Sequence, residues 1–312
     1  MIGTDRVPRL LLVGGGGGLV GRNILQEFLP TWRIRSVHRH AAHLEAGSPV
    51  EWIPTDVAAL RDWDPLLDDI DAIVNVAWYR AGPPTLFRNL HDGLLRLLDA
   101  ARRRGVRRFI HVSVPLAPLP LEEGFPYLAY KRRFDRALAE SGLSYRIVRP
   151  TMLFAPHDVL ITVMLRTMHR YRAFPMFGDG AYHVSPIAAT DLAYVLRCSA
   201  EGSAVGTVDL GGPERMTYLE LTDRLFASLG QPARYWRMSE RNGVRLARLL
   251  ERFGSHLLYA YEVEWLVSDM LGLPPAEGLG RPLTPVGPFI EAESRRLRSP
   301  APTGARARAP GR

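Results

Sequence analysis

Tyr127 and Lys131 stand four residues apart in Tyr127-Leu128-Ala129-Tyr130-Lys131, and Lys131 is the single lysine among the 40 Lys and Arg side chains of this 312-residue chain. On a helix, residues four apart share a face. An ammonium beside a phenol stabilises the phenolate. It would bring a group that ordinarily titrates near ~10 toward the range of proton exchange at neutral pH. Arginine carries the same charge on a broad planar fork, whereas lysine carries it as a compact point. A chain that uses arginine at every other basic position and keeps one lysine here reads as needing that ammonium. The pair therefore reads as an acid/base with its tuning partner, although the same spacing on a solvated helix would do nothing.

A second group of residues has the pattern of a phosphate cradle. Gly15, Gly18 and Gly21 form Gly-x-x-Gly-x-x-Gly between the apolar run Arg9–Val13 and a helical pattern over Leu19–Phe28. Glycines there permit a tight turn and a close backbone approach, and the helix N-terminus offers unpaired N–H groups to a pyrophosphate. Gly14, Gly16 and Gly17 leave the frame of the motif open. At the end of the next strand pattern the chain reads Ser36-Val37-His38-Arg39-His40, with no acid. A carboxylate at that place suits a ribose 2′-hydroxyl and a cation suits a 2′-phosphate, so Arg39, with its planar donors, favours NADP over NAD. Asp56, after the third strand pattern, is placed to accept from an adenine amino group or to cap a helix.

The elements that must position these groups alternate. Strand patterns at Arg9–Val13, Trp32–His38, Val50–Pro54, Ala72–Ala77, Phe109–Val114 and Tyr145–Arg149 are separated by helical patterns at Leu19–Phe28, Leu86–Arg104 and Tyr127–Ser141. The last two helices are closed by Gly105 and Gly142. Such alternation predicts an α/β fold, a doubly wound parallel sheet of the Rossmann kind. It is assigned to residues 8–150, followed by a smaller mixed α/β substrate-side region over 151–290 with some strands returning to the main sheet. In that second region a helix is expected over Thr190–Ala200, a strand over Val205–Leu210, and a helix over Met216–Leu229 with Thr217 as N-cap. Met238–Leu271 reads as mainly helical, without a legible role.

Composition narrows the function classes. The chain is 46% hydrophobic and 23% charged, as in a globular protein. Its formal charge of +8 is concentrated in residues 294–312, which hold Arg295, Arg296, Arg298, Arg306, Arg308 and Arg312 and no acid. Without that stretch the body carries about +2, no argument for nucleic-acid binding. Residues 294–312, rich in Arg, Pro, Ala and Gly, are expected to be a disordered basic tail. Cys198 is the sole cysteine, which excludes an intrachain disulfide and a cysteine metal cage. His157 and His183 lack metal-ligand spacing, so no metal is expected. With no signal segment and no apolar run of about 18 residues, a cytoplasmic location without membrane insertion is expected. Self-association is left open.

Taken in order, these pieces resemble the extended and atypical short-chain dehydrogenase/reductases, in the branch of NmrA-like and complex-I 39-kDa-subunit-like proteins that overlaps the epimerase/dehydratase group. The resemblance covers about residues 9–230. It rests on residues 14–21 (Gly-Gly-Gly-Gly-Gly-Leu-Val-Gly), Thr55-Asp56-Val57, Asn75-Val76-Ala77, His111-Val112-Ser113, Tyr127-x-x-x-Lys131, Arg149-Pro150-Thr151, Pro186 to Asp191 and Gly211-Gly212-Pro213-Glu214. It implies that Gly15, Gly18, Leu19, Val20 and Gly21 cradle the pyrophosphate, Arg39 holds the adenosine-ribose phosphate, and Asp56 and Val57 hold the adenine. Ala77 and Pro150 would lie against the cofactor. Tyr127 would be the proton donor or acceptor, Lys131 would bind the nicotinamide ribose and tune Tyr127, and Ser113 would serve the substrate oxygen or the cofactor. One departure stands out: where such proteins carry a Ser or Thr a little beyond the fifth strand, this chain has Val114 and Pro115.

On the substrate side, Trp78, Tyr79 and Arg80 follow the fourth strand, and Phe154, His157, Phe177 and His183 come from the second region. An aromatic lining suggests a small, moderately apolar carbonyl or hydroxyl compound. The leading expectation is an NADP-dependent oxidoreductase. The alternatives are a non-catalytic NADP(H)-binding regulator or assembly factor, and an NAD-dependent sugar-nucleotide epimerase or dehydratase.

Overall fold

A computed structural model describes residues 6–15, 18–39, 48–156, 158, 160–253 and 258–299. The first half of the chain runs β1 (Arg9–Val13), α1 (Leu19–Phe28), β2 (Arg33–His38), β3 (Val50–Pro54), β4 (Ala72–Asn75), α2 (Pro84–Arg103), β5 (Arg108–Val112), α3 (Leu119–Gly124), α4 (Pro126–Ala139) and β6 (Tyr145–Pro150). The second half runs β7 (Leu153–Phe154), α5 (Ile161–Tyr171), β8 (Phe174–Phe177), β9 (His183–Val184), β10 (Ile187–Ala188), α6 (Ala189–Glu201), β11 (Gly206–Leu210), β12 (Met216–Thr217), α7 (Tyr218–Ser228), β13 (Tyr235–Met238), α8 (Glu240–Arg252), α9 (Ala260–Val267) and α10 (Val286–Arg298).

Seven parallel strands form the central sheet in the order β11-β6-β5-β4-β1-β2-β3. The chain builds outward from β1 through β2 and β3, then crosses back to β4 and builds outward the other way. The crossing leaves a crevice at the carboxyl ends of β1 and β4, where open α/β sheets bind ligands. Because both faces are covered, the inner strands are apolar throughout rather than alternating: Leu10, Leu11, Leu12 and Val13 of β1 are all fully buried. One face packs under α2 and α4, with Leu11, Ile73, Phe109, Leu94 and Phe134 in its core. The other packs under α1 and α6, with Leu10, Val74, Ile24, Phe28, Leu192 and Leu196.

The return of β11 to the sheet edge beside β6 fits the expectation that later strands rejoin it. A separate core, including Met164, Leu165, Met176, Leu221, Leu225 and Ile290, joins α5, α7 and α10. Two expectations need correction. The helix expected from Met216 begins at Tyr218, because Met216 and Thr217 first pair antiparallel with β9; Thr217 does cap it, in a reciprocal box with Glu220. The basic stretch from residue 294 is not disordered at its start: α10 continues through Arg298 and buries Ser294 against Ser228, whose hydroxyl lies 2.6 Å away. Residues 300–312 lie outside the described residues.

Candidate active site

The cradle is built by two backbone turns. Gly14 and Gly15 follow β1 with φ of 77° and 75°, a left-handed conformation that glycine adopts without penalty. A Cβ on Gly14 would stand 2.5 Å from Ala77 Cα, and one on Gly15 would stand 2.7 Å from Val76 Cγ2. The chain can therefore approach this crevice only as bare backbone. Gly18 donates its N–H to the Gly15 carbonyl at 2.9 Å and serves as N-cap of α1, without a side-chain cap. The first turn of α1, including Leu19, Val20 and the buried Gly21, thus keeps the open N–H groups that anions use.

A cavity of about 150 Å³ opens beside this turn, lined by Gly14, Gly15, His38, Arg39, Asp56 and Tyr79, with Val57 and Ala77 among its apolar walls. Asp56 caps a turn rather than one of the helices. It faces the cavity, and its Oδ1 accepts the Ala58 N–H at 2.9 Å as a turn cap. Tyr79, expected on the substrate side, lies instead at this end: its hydroxyl is 3.4 Å from both Asp56 oxygens and the Arg39 guanidinium lies 4.7 Å over its ring. A side-chain-free turn, an uncapped helix start and a cation at the end of β2 are the features that binding of a dinucleotide's phosphates requires.

Tyr127 sits on the first turn of α4, 6.4 Å ring to ring from Trp78 and 6.4 Å from Phe87, edge-on to both. Tyr261, from α9, stacks on it at 4.7 Å and 16°. The expected tuning by Lys131 is not what this environment produces. Lys131 Nζ lies over the Trp78 ring at 4.5 Å, and 6.0 Å from the Tyr127 ring centre. Burial, followed by the nearby Glu262 carboxylate, pushes the Tyr127 phenol up, and only Arg80 opposes them. Lys131 is itself buried, 5% exposed, and its removal from water pushes it down to about 7, with Asp135 opposing and Arg132 reinforcing the shift.

Ser113 is likewise redirected. Its hydroxyl donates to Asp135 Oδ2 at 2.8 Å, in a buried cluster where Arg132 and Arg149 bind the same oxygen at 2.7 and 3.2 Å. His111 joins from β5: its Nδ1 is 3.0 Å from Asn75 Nδ2, and Asn75 Oδ1 accepts the Ala77 N–H at 3.0 Å. An amide NH₂ can only donate, so Nδ1 is the acceptor and the proton is on Nε2. That nitrogen faces Asp135 Oδ1 at 3.6 Å. Burial, then Lys131, hold His111 well below the usual imidazole range. The hydrogen-bonded chain from the loop after β4 thus ends at His111, whose Nε2 and the facing Asp135 Oδ1 make no hydrogen bond among the described residues.

The remaining expected substrate residues are not brought together. Phe154 is core, its ring 5.2 Å from Phe289. Phe177 packs on Gly243 and Val263 in a small core of its own. His183 ties the 269–272 turn, with its backbone N–H and Nδ1 both on Asp269. Pro150 is buried at the end of β6, opposite Leu210, and does not line the cavity beside the glycine turn. His157 lies outside the described residues.

What the sequence did not reveal is the second wall of the site. Arg80 holds Glu262 through two bonds, 2.7 and 2.8 Å, and the Tyr261 hydroxyl donates to the Arg80 carbonyl at 2.9 Å. These bonds clamp α9 over the N-terminus of α4. Between them opens a cavity of about 380 Å³ that Tyr127 lines. The only sequence signal was the dense aromatic content of the segment from Tyr259 to Trp265.

Residues 15–169 match the model of a family described as NAD(P)H-binding. No curated protein matches the sequence. Similar solved structures include a nucleoside-diphosphate-sugar epimerase from Staphylococcus aureus, 17% identical, covering 90% of this chain and 99% of that one, with a TM-score of 0.69. A UDP-N-acetylglucosamine 4-epimerase from Methanobrevibacter ruminantium M1, solved with UDP-N-acetylmuramic acid, is 17% identical over 94% and 99%, with a TM-score of 0.65. A UDP-glucuronic acid 4-epimerase from Bacillus cereus, in complex with NAD, is 17% identical over 92% and 96%, with a TM-score of 0.64.

Proposed function

We propose, from the match of residues 15–169 to a family described as NAD(P)H-binding and a fold similar to that of solved nucleotide-sugar epimerases, an NADP(H)-dependent oxidoreductase acting on a small carbonyl or hydroxyl compound, with Tyr127 as its acid/base. The observation that carries this reading is the crevice itself, with Gly14 and Gly15 as bare backbone at one end and Arg39 at the other. Gly15, Gly18 and the first turn of α1 would hold the pyrophosphate, Arg39 a ribose 2′-phosphate, Asp56 the adenine, and Val57 and Ala77 the walls. Lys131 would hold the nicotinamide ribose. Bound NADP(H) supplies a hydride donor or acceptor. Tyr127, kept protonated by burial and by Glu262, is an acid before it is a base, which favours donation to the oxygen of a carbonyl undergoing reduction.

A second reading, a non-catalytic NADP(H)-binding regulator or assembly factor, draws on different observations. Trp78 stands between the dinucleotide cavity and Tyr127, and Ser113 is committed to Asp135. The similar solved structures favour a third reading, an epimerase or dehydratase that retains its nicotinamide cofactor through turnover.

Fluorescence titration with NADPH and with NADH separates these readings. Tighter binding of NADPH is expected, and Arg39→Glu should weaken it about tenfold to a hundredfold, the loss of one charge-assisted phosphate contact. If neither nucleotide binds protein freed of any co-purified cofactor, the proposal fails. Given binding, Tyr127→Phe should keep NADPH affinity and lose carbonyl reduction. Loss of nothing in the cell on that substitution would favour the regulator, and nicotinamide cofactor retained on purification would favour the epimerase.

A further inference from the structure

The cavity over Tyr127 has a lining unlike that of a sugar-nucleotide site. Phe87 comes from α2, Phe125 and Tyr127 from the start of α4, and Tyr259 and Tyr261 from the start of α9. The two α9 tyrosines are parallel, 6.0 Å apart at 13°, and Tyr261 lies parallel to Tyr127. Phe87 stands perpendicular to Tyr127, at 88°, and closes one side of the stack. These parallel and perpendicular rings are the arrangement in which aromatic faces take up another flat ring.

The charged side chains of this lining are Arg80 and Glu251. Arg80 is bound by both carboxylate oxygens of Glu262 and lies over the Tyr259 ring at 5.0 Å. Glu251 accepts the Ala260 N–H at the start of α9. A diphosphate entering here would meet a cation already neutralised and a carboxylate of its own sign. A hexose would find its side-chain partners limited to Arg80 and Glu251, both already engaged, and to the hydroxyls of Tyr127, Tyr259 and Tyr261, the last of which already donates to the Arg80 carbonyl; the other side chains are Phe87, Phe125, Ala81 and Pro126. Burying such hydroxyls without partners is unfavourable.

We infer that this cavity takes a neutral, flat, largely aromatic carbonyl compound of two or three fused rings rather than a nucleotide sugar, with the carbonyl directed to Tyr127. Its volume of about 380 Å³ is at the lower end of small-molecule sites. The inference rests on the oxidoreductase reading for the fate of the ligand, and on the lining alone for its binding.

Calorimetric titration of the whole chain with 9-fluorenone, a tricyclic neutral ketone, and separately with UDP-glucose tests it, with NADPH titrated into the same preparations. Fluorenone should bind and UDP-glucose should not. Ala81→Trp, which fills the cavity from the loop before α2, should weaken fluorenone about tenfold or more while NADPH affinity stays within about twofold. Tyr261→Phe should retain the ketone and Tyr261→Ala should lose it; if the alanine variant does not fold, Ala81→Trp still decides. Absence of fluorenone binding to the wild type overturns the inference, as does binding that Ala81→Trp leaves unchanged or UDP-glucose binding that it abolishes. Ketone binding without NADPH binding would leave the inference standing and defeat the oxidoreductase reading. NADPH binding without ketone binding would do the reverse.

Discussion

An ammonium taken out of water is unfavourable unless something offsets it, and Lys131 is offset by one aromatic face and one carboxylate four residues along α4. Its folded pKa of about 7 lies below the ordinary value of 10.5. Between those two values the unfolded chain binds a proton that the folded chain does not, so stability rises with pH across the window, by at most about 1.4 kcal/mol per pH unit. Below pH 7 both states carry the proton and the contribution is constant. Lys131→Met should remove the slope. Urea midpoints of both proteins at pH 7 and pH 9 check it, and a difference that does not change with pH would sink the argument. Asp135, 4% exposed, gathers Ser113, Arg132 and Arg149. Asp135→Ala should cost about 3–5 kcal/mol by leaving Arg149 buried against no carboxylate, measurable by urea denaturation. The sequence made the Tyr127–Lys131 pair visible because the two share a helix. It could not reveal that Trp78, from a different element, takes the face of the ammonium, nor that Asp135 claims Ser113, because both depend on how α4 sits against the sheet.

At the scale of elements, the strands through residue 150 and the three long helices between them were legible because the buried strands are short apolar runs and the helices carry an amphipathic period, whereas the six-residue α3 is too short to show one. The cap of α7 was equally legible, since Thr217 and Glu220 have the spacing of a reciprocal box. Thr217→Ala should lower stability by about 1 kcal/mol, read from the urea midpoint. The role of α9 escaped, although its segment read as helical, because its eight residues hide their direction. Its apolar side chains belong partly to the core beneath α8 and partly to the roof of the Tyr127 cavity. α10 escaped for another reason: its arginines looked like a solvated tail, yet Arg295, Arg296 and Arg298 fall in the last turn, where cations favour the helix dipole, while Val286 and Ile290 reach the core.

For the whole molecule, the sheet is the shared frame, and it is completed late. Ile187, Leu192, Val195, Leu196 and Leu210 cover one face of strands laid down in the first half of the chain. β11 closes the edge that β6 would otherwise leave open. A fragment ending at residue 169 should therefore aggregate or unfold without a cooperative transition, and a sharp urea transition for that fragment would contradict this account.

The consequence reaches beyond the bench. On this account the stretch that matches the NAD(P)H-binding family is shorter than the stretch that can fold by itself. A recombination event that carried off only the recognisable part would deliver a protein with one wall of its house missing. On this account both halves would have to be inherited together, whereas a change in α9, which roofs the Tyr127 cavity without joining the sheet, would alter the site and spare the frame.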